Sequence, residues 1–121
     1  MVAQISKAKV LEESMAASRI EIFEQMLGGD PDNTMVMFGL AKEYEKAGEE
    51  TKLIETLERY LATADDEGNA YGMLARAFER TKQCDKARES YQRGMQAAAS
   101  HGHPGMAEEY KSILESEFPA A

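Results

Sequence analysis

The sequence lacks the residues that cross-link a fold or carry it across a membrane. It has one cysteine and no tryptophan among 121 residues. A disulfide needs two cysteines, so packing must hold the fold, and a lone Cys84 suits a reducing compartment. The longest stretch without a charged side chain, Gly94–Ala107, contains Pro104 and is too short to span a bilayer. The opening decapeptide has no apolar core of signal-peptide length, so we expect a soluble, cytoplasmic protein.

Positive charge is also scarce. Lysine and arginine total 14 against 22 acidic residues, which gives a formal net charge of −8. Non-specific nucleic-acid binding depends on neutralising phosphates, so an acidic chain of this kind is a poor candidate for it. Hydrophobic residues make up 43% of the chain, too many for a disordered protein. The length fits one domain, residues 1–121.

Strand-like alternation is absent, and the apolar spacing is helical throughout. Met37, Leu40, Ala41 and Tyr44, for example, follow the spacing of one helix face. Short segments with turn residues separate the helical stretches, and Asp or Asn at 30, 32 or 33, Asp66 and Asp85 can cap helix starts. The pattern predicts an all-α protein of six helices, at 4–27, 33–47, 50–63, 67–81, 84–99 and 104–118.

An internal repeat of 34 residues is the most specific pattern in the chain. Shifting the sequence by 34 aligns Leu40 with Leu74, Ala41 with Ala75, Tyr44 with Phe78, Glu55 with Glu89 and Arg59 with Arg93. A helix-turn-helix unit of this period is typical of one repeat class. The sequence resembles the tetratricopeptide repeat (TPR) family: one unit carries Met37, Leu40, Ala41, Tyr44, Leu53, Leu57 and Tyr60, and the next Tyr71, Leu74, Ala75, Phe78, Ala87, Tyr91 and Gly94.

The resemblance implies a helical solenoid with four parts. Residues 1–33 form a long N-terminal helix and half-repeat, 34–67 and 68–101 are the two full units, and 102–121 is a capping helix. Leu53 and Tyr60 depart from the family pattern, which has small residues there, and Asp65 and Ala99 replace its closing proline. Cut at these boundaries, the parts carry charges of −3, −5, +3 and −3, so the second unit alone is basic.

The sequence gives little support for catalysis. The nine glycines are scattered at turns and form no phosphate loop. His101 and His103 share a loop with no third metal ligand nearby in the sequence, and Cys84 has no visible acid-base partner. We expect no catalytic, cofactor or metal site.

The family resemblance implies a binding function instead. TPR proteins bind peptides or protein segments on the concave face lined by the first helix of each unit. Carried over to this sequence, the groove residues are Met35, Phe38, Lys42, Lys46, Asn69, Met73, Arg76 and Arg80. Four of them form a basic array beside an apolar patch of Met35, Phe38 and Met73. This combination suits an acidic, partly apolar segment, because arginine can hold a carboxylate through two hydrogen bonds.

Alternatives remain open at this point. Lys42 can pair with Glu45 and Arg76 with Glu79, which would make the array an ordinary solvated surface. The protein could assemble with itself as a homodimer through its unmatched N-terminal helix or its oppositely charged units. It could also be a small secretion or assembly chaperone. Some TPR modules bind the tails of heat-shock chaperones through lysine and asparagine side chains at fixed positions. Phe38, Lys42 and Met73 occupy those positions here, so we do not expect this mode of binding.

Overall fold

A computed structural model describes residues 7–119, and these residues are helical apart from short connections. The first helix is predicted to begin at residue 4, but residues 4–6 lie outside the described range. Every other helix end falls within two residues of the prediction, so the all-α repeat architecture is confirmed. The helices are α1 (Lys7–Gly29), α2 (Thr34–Ala47), α3 (Glu50–Thr63), α4 (Asn69–Arg80), α5 (Cys84–Ser100) and α6 (Pro104–Glu117).

Two short-range devices fix the ends of α2. The side chain of Asn33 accepts a hydrogen bond from the Val36 amide at 3.1 Å, which satisfies an amide that the helix leaves free. At the other end, Gly48 adopts φ 73° and its amide bonds back to the last turn. This left-handed conformation favours glycine because a side chain would be strained there.

Asp66 joins the first unit to the second. Its carboxylate is buried and accepts hydrogen bonds from the amides of Gly68 at 2.8 Å and Ala70 at 3.0 Å. The Tyr60 hydroxyl donates to its other oxygen at 3.2 Å. Asp66 therefore caps α4 while also holding the end of α3.

The helices pack mainly against their neighbours in sequence, as a solenoid requires. The larger core runs through α1 to α5 and centres on the fully buried Met37, Leu53 and Leu57. A smaller core joins α4 and α5 to α6 through Ala75, Tyr91 and Tyr110. None of the helices in residues 7–119 is long and apolar enough to cross a membrane.

Tyr110 anchors α6 to the repeat it follows. Its hydroxyl donates to the Gly68 carbonyl at 2.9 Å, and its ring lies against the bare backbone of Gly72 and Gly94. Two glycines on facing helices thus leave the space that the ring fills.

Candidate binding face

The eight candidate residues lie on the first helices of the two units. We call this set the candidate face: Met35, Phe38, Lys42 and Lys46 on α2, and Asn69, Met73, Arg76 and Arg80 on α4. Within each helix their spacing of three, four and seven places them on one side. The structure treats the members differently, however, and only part of the set is available to a ligand.

The apolar part of the candidate face is smaller than the sequence suggests. Met35 is 85% exposed, the highest value among the exposed large hydrophobic residues of the described chain. Phe38 is half-buried, with its ring centroid 5.2 Å from that of Tyr60. Met73 is only 7% exposed and packs in the larger core. Met35 and the edge of Phe38 therefore form the accessible apolar surface.

Lys42 and Arg76 are the two cations of the candidate face that keep their charge available. Both are exposed, and neither forms an ion pair with any residue in the described range 7–119. Lys42 places its Nζ 5.0 Å from the centroid of the Phe38 ring, a cation–π contact that leaves its ammonium group in solvent. The pairings with Glu45 and Glu79 that the sequence allowed are not formed.

Lys46 is occupied by a buried carboxylate. Its Nζ lies 3.8 Å from Glu43 Oε1, which also binds Arg19 Nε at 3.1 Å. The other oxygen of Glu43 is buried without a hydrogen-bond partner. Arg19 on α1 and Lys46 on α2 therefore both neutralise the buried carboxylate of Glu43. Lys46 thus belongs to a group of charges that joins α1 to α2.

Arg80 is occupied by the neighbouring unit. Its Nε donates to Glu50 Oε1 at 2.6 Å and its Nη2 donates to Glu50 Oε2 at 3.1 Å. This two-bond geometry fixes the guanidinium plane, and the hydrogen bond raises the pKa of Arg80 further. The pair could not be predicted from the sequence, because Glu50 and Arg80 are thirty residues apart and no local pattern connects them.

Carboxylates border Arg76 at one end of α4. Burial raises the pKa of Glu79, a hydrogen bond from Tyr91 opposes that rise, and nearby Glu117 adds to it. The Tyr91 hydroxyl donates to Glu79 at 3.0 Å. Arg76 lies close enough for its charge to favour the ionised form of Glu79. We therefore expect an acidic ligand to be attracted by Arg76 and repelled by the nearby carboxylates of Glu79 and Glu117.

The two histidines of the loop after α5 take part in polar contacts with the preceding loop between the units. His101 Nε2 lies 3.1 Å from Asp65 Oδ1, and His103 Nε2 lies 3.5 Å from Glu67 Oε1. These contacts tie the loop after α5 to the loop that joins the two units. Across the described part of the chain, no group of His, Cys, Asp and Glu side chains has an arrangement that could hold a metal ion.

A comparison of Arg80 with Arg76 tests whether the cation that forms an ion pair stabilises the fold more than the one that does not. We expect Arg80→Gln to lower the free energy of unfolding by about 0.5–1 kcal/mol, since the ion pair is partly exposed and screened by water. Arg76→Gln, the same change one turn earlier, should leave stability within about 0.5 kcal/mol. Urea denaturation of both variants gives the comparison. Equal losses would mean that Arg80 has no special structural role.

Comparison with known proteins agrees with the repeat seen in the sequence and the fold. A curated protein of Pseudomonas aeruginosa, described as a TPR repeat-containing protein, is 31% identical to this chain over 83 residues. The aligned region covers 69% of this chain and 79% of that protein. No protein-family profile matches the chain.

Proposed function

This chain belongs to the tetratricopeptide repeat family, whose members are generally non-enzymatic protein-interaction modules, and we propose that it binds a short, acidic and partly apolar segment of another protein on the candidate face. In this proposal the units 34–67 and 68–101 act together, because each supplies one first helix. The cations that contact the ligand are Lys42 and Arg76. Met35 and Phe38 receive its apolar side chain.

The observation that carries the proposal is the match between Lys42 and Arg76. They are 34 residues apart, so they hold the same position in successive units. Both are exposed, whereas their neighbours Lys46 and Arg80 are engaged by Glu43 and Glu50. Each first helix therefore supplies, at the same position, one cation that forms no ion pair within residues 7–119, and the concave surface of a solenoid is where such proteins bind.

The chemistry of these residues sets the kind of ligand. Arg76 offers a planar fork that can bind both oxygens of a carboxylate, and Lys42 offers a mobile point charge. Met35 is flexible and exposed, so it can adapt to apolar side chains of different shape. A segment with one apolar residue flanked by acids, or ending in a free carboxylate, satisfies both features.

The proposal can be tested by selecting ligands from a displayed library of random peptides. We expect the selected peptides to be enriched in acids around one apolar residue. Binding of such a peptide should fall by at least about tenfold in the Lys42→Glu/Arg76→Glu variant, since each reversal replaces an attraction with a repulsion. The affinity of the unaltered protein should also fall as salt is added. Isothermal calorimetry measures both effects.

A matched control uses the second helices of the same two units. Lys52 and Lys86 are also 34 residues apart, and each places its Nζ near an aromatic ring, Tyr44 at 5.9 Å and Phe78 at 5.7 Å. Lys52→Glu/Lys86→Glu therefore changes the net charge by the same amount as Lys42→Glu/Arg76→Glu, and both double variants remove cation–π contacts. It should bind the peptide as the unaltered protein does. Equal loss in both variants, or a selection with no acidic preference, would contradict the proposal.

A further inference from the structure

Tyr60 on α3 is a large side chain at a position where the second unit has none. The residue 34 places later is Gly94, and the residue 34 places after Phe38 is Gly72. In the second unit the ring of Tyr110, supplied by α6, lies against both glycines. The first unit instead carries two rings of its own, Phe38 and Tyr60, whose centroids are 5.2 Å apart. Among the eight residues of the candidate face, the one aromatic ring therefore belongs to the first unit.

Tyr60 links the candidate face to the junction between the units. On one side, its ring contacts Phe38, whose centroid lies 5.0 Å from the Nζ atom of Lys42. On the other side, its hydroxyl donates to the buried Asp66 at 3.2 Å, and Asp66 accepts from the Ala70 amide at 3.0 Å. Four direct contacts therefore connect Lys42 on α2 with the first turn of α4.

The side chain of Tyr60 is held in a fixed orientation. It is half-buried and packs against the larger core. Burial and the nearby Asp66 carboxylate raise the pKa of its hydroxyl to about 12, so the hydroxyl stays protonated at neutral pH and donates to that carboxylate. Tyr60 therefore occupies the space beside Phe38 and leaves no room for the Phe38 ring to turn into it.

Phe38 depends on this neighbour because its own ring is only half-buried. A phenylalanine side chain on a helix has more than one staggered orientation, and burial of apolar surface is favourable. If the space beside it were empty, the ring would gain burial by turning inward, away from the candidate face. Lys42 would then lose its aromatic contact, and a ligand would lose the ring edge.

We propose that Tyr60 is a positioning residue for the candidate face, holding the Phe38 ring where it contacts Lys42 and meets the apolar side chain of the ligand. This inference rests on the proposed function, because it concerns the same ligand. It adds that the apolar subsite lies in the first unit and is built by α2 and α3 together, whereas Arg76 of the second unit receives a carboxylate. Tyr60 acts through Phe38 and does not itself contact the ligand.

The affinity for a selected peptide separates positioning from stability. We expect Tyr60→Ala to weaken binding about fivefold, the effect of losing one aromatic contact, and Tyr60→Phe, which keeps the ring, to change it by less than about twofold. Ile54→Ala is the matched control, because Ile54 is a half-buried core residue that lies about 120° from Tyr60 around α3. It should bind as the unaltered protein does. Calorimetry gives the affinities at a temperature where circular dichroism shows every variant to be folded.

A double variant tests whether Tyr60 acts through Phe38. Phe38→Ala removes the ring that meets the ligand, so adding Tyr60→Ala should weaken binding no further. Side-chain NMR of the free protein gives an independent measurement, because the Phe38 ring current shifts the Lys42 methylene protons next to Nζ upfield. This shift should persist in Tyr60→Phe and be lost in Tyr60→Ala. Additive losses of affinity, or an unchanged Lys42 shift in Tyr60→Ala, would overturn the proposal.

The results also distinguish the role of Tyr60 from the proposed function. A peptide that binds Tyr60→Ala as well as the unaltered protein, but fails to bind Lys42→Glu/Arg76→Glu, would overturn the role of Tyr60 and leave the function standing. Equal losses for Tyr60→Ala and Ile54→Ala would show that Tyr60 only stabilises the fold, and would overturn its positioning role as well. A selection with no acidic preference would overturn the function, and this proposal with it.

Discussion

Gly94→Val should lower the free energy of unfolding by about 3 kcal/mol, because the valine side chain would overlap atoms of the neighbouring helices. A Cβ at this position would lie 2.8 Å from the Cβ of Tyr71 and 3.0 Å from Cε2 of Tyr110. The first of these atoms is fixed to the backbone of α4, and the second belongs to a ring that is 4% exposed. Relief of the clash must therefore separate α4 from α5 or displace α6.

Gly105→Val is the control for this prediction. Gly105 is also helical, but an added Cβ there meets no atom within 4 Å. We expect Gly105→Val to change stability by no more than about 0.5 kcal/mol. Thermal and urea denaturation of the two variants, followed by circular dichroism, make the comparison. If Gly94→Val proves as stable as Gly105→Val, the close packing of Tyr110 against this glycine is not real.

Asp66→Ala should cost about 2–3 kcal/mol of unfolding free energy. The substitution removes the acceptor for the Gly68 and Ala70 amides and for the Tyr60 hydroxyl. Burial and the nearby Asp66 raise the pKa of Tyr60 to about 12, so this hydroxyl is protonated at neutral pH and loses its acceptor. Buried donors left without partners are what make such a change costly.

The neighbouring Asp65 supplies a matched control for Asp66. The Asp65 side chain is 88% exposed, and its one contact is with His101. We expect Asp65→Ala to change stability by no more than about 0.5 kcal/mol in urea denaturation. Similar losses for the two alanine variants would show that Asp66 does not hold the two units together.

The Asp66 prediction also bears on binding. Asp66 fixes the start of α4 relative to the end of α3, and α4 supplies Arg76 to the candidate face. The spacing between Lys42 and Arg76 depends on this junction. A variant that remains folded but loses the Asp66 contacts should therefore bind a selected peptide more weakly.

The repeat made the helices predictable from the sequence, and the reason is local. The spacing of residues such as Leu40 and Leu74 depends only on helix periodicity, and a cap such as Asn33 acts within one turn. The period of 34 then aligned the units, because each unit packs on its neighbours by the same contacts. These features need no knowledge of distant residues.

The availability of each candidate side chain was not predictable, because it depends on contacts between helices. Met35 and Met73 share the predicted face, yet Met35 is exposed at the start of α2 while Met73 packs in the core. Gly72, which precedes Met73 on α4, is buried beneath Tyr110. Arg80 is engaged by Glu50 from a different helix. Helical periodicity assigns a residue to a face but does not say what covers that face.

The N-terminal helix α1 shows the same limit. The sequence marked the N-terminal helix as unmatched by the repeat, and its apolar residues extend along most of the helix. Only the structure separates Ile20, which packs on α2, from Ile22, which faces solvent.

The most direct test of the account is to map where a peptide selected from the library binds. Titration of the peptide into the protein, followed by backbone amide chemical shifts, locates the contact residue by residue. We expect the largest shifts at Met35, Phe38 and Lys42 on α2 and at Arg76 on α4, with small shifts on α3 and α5. Shifts concentrated on the second helices, or on α1, would contradict the claim that the candidate face is the binding surface.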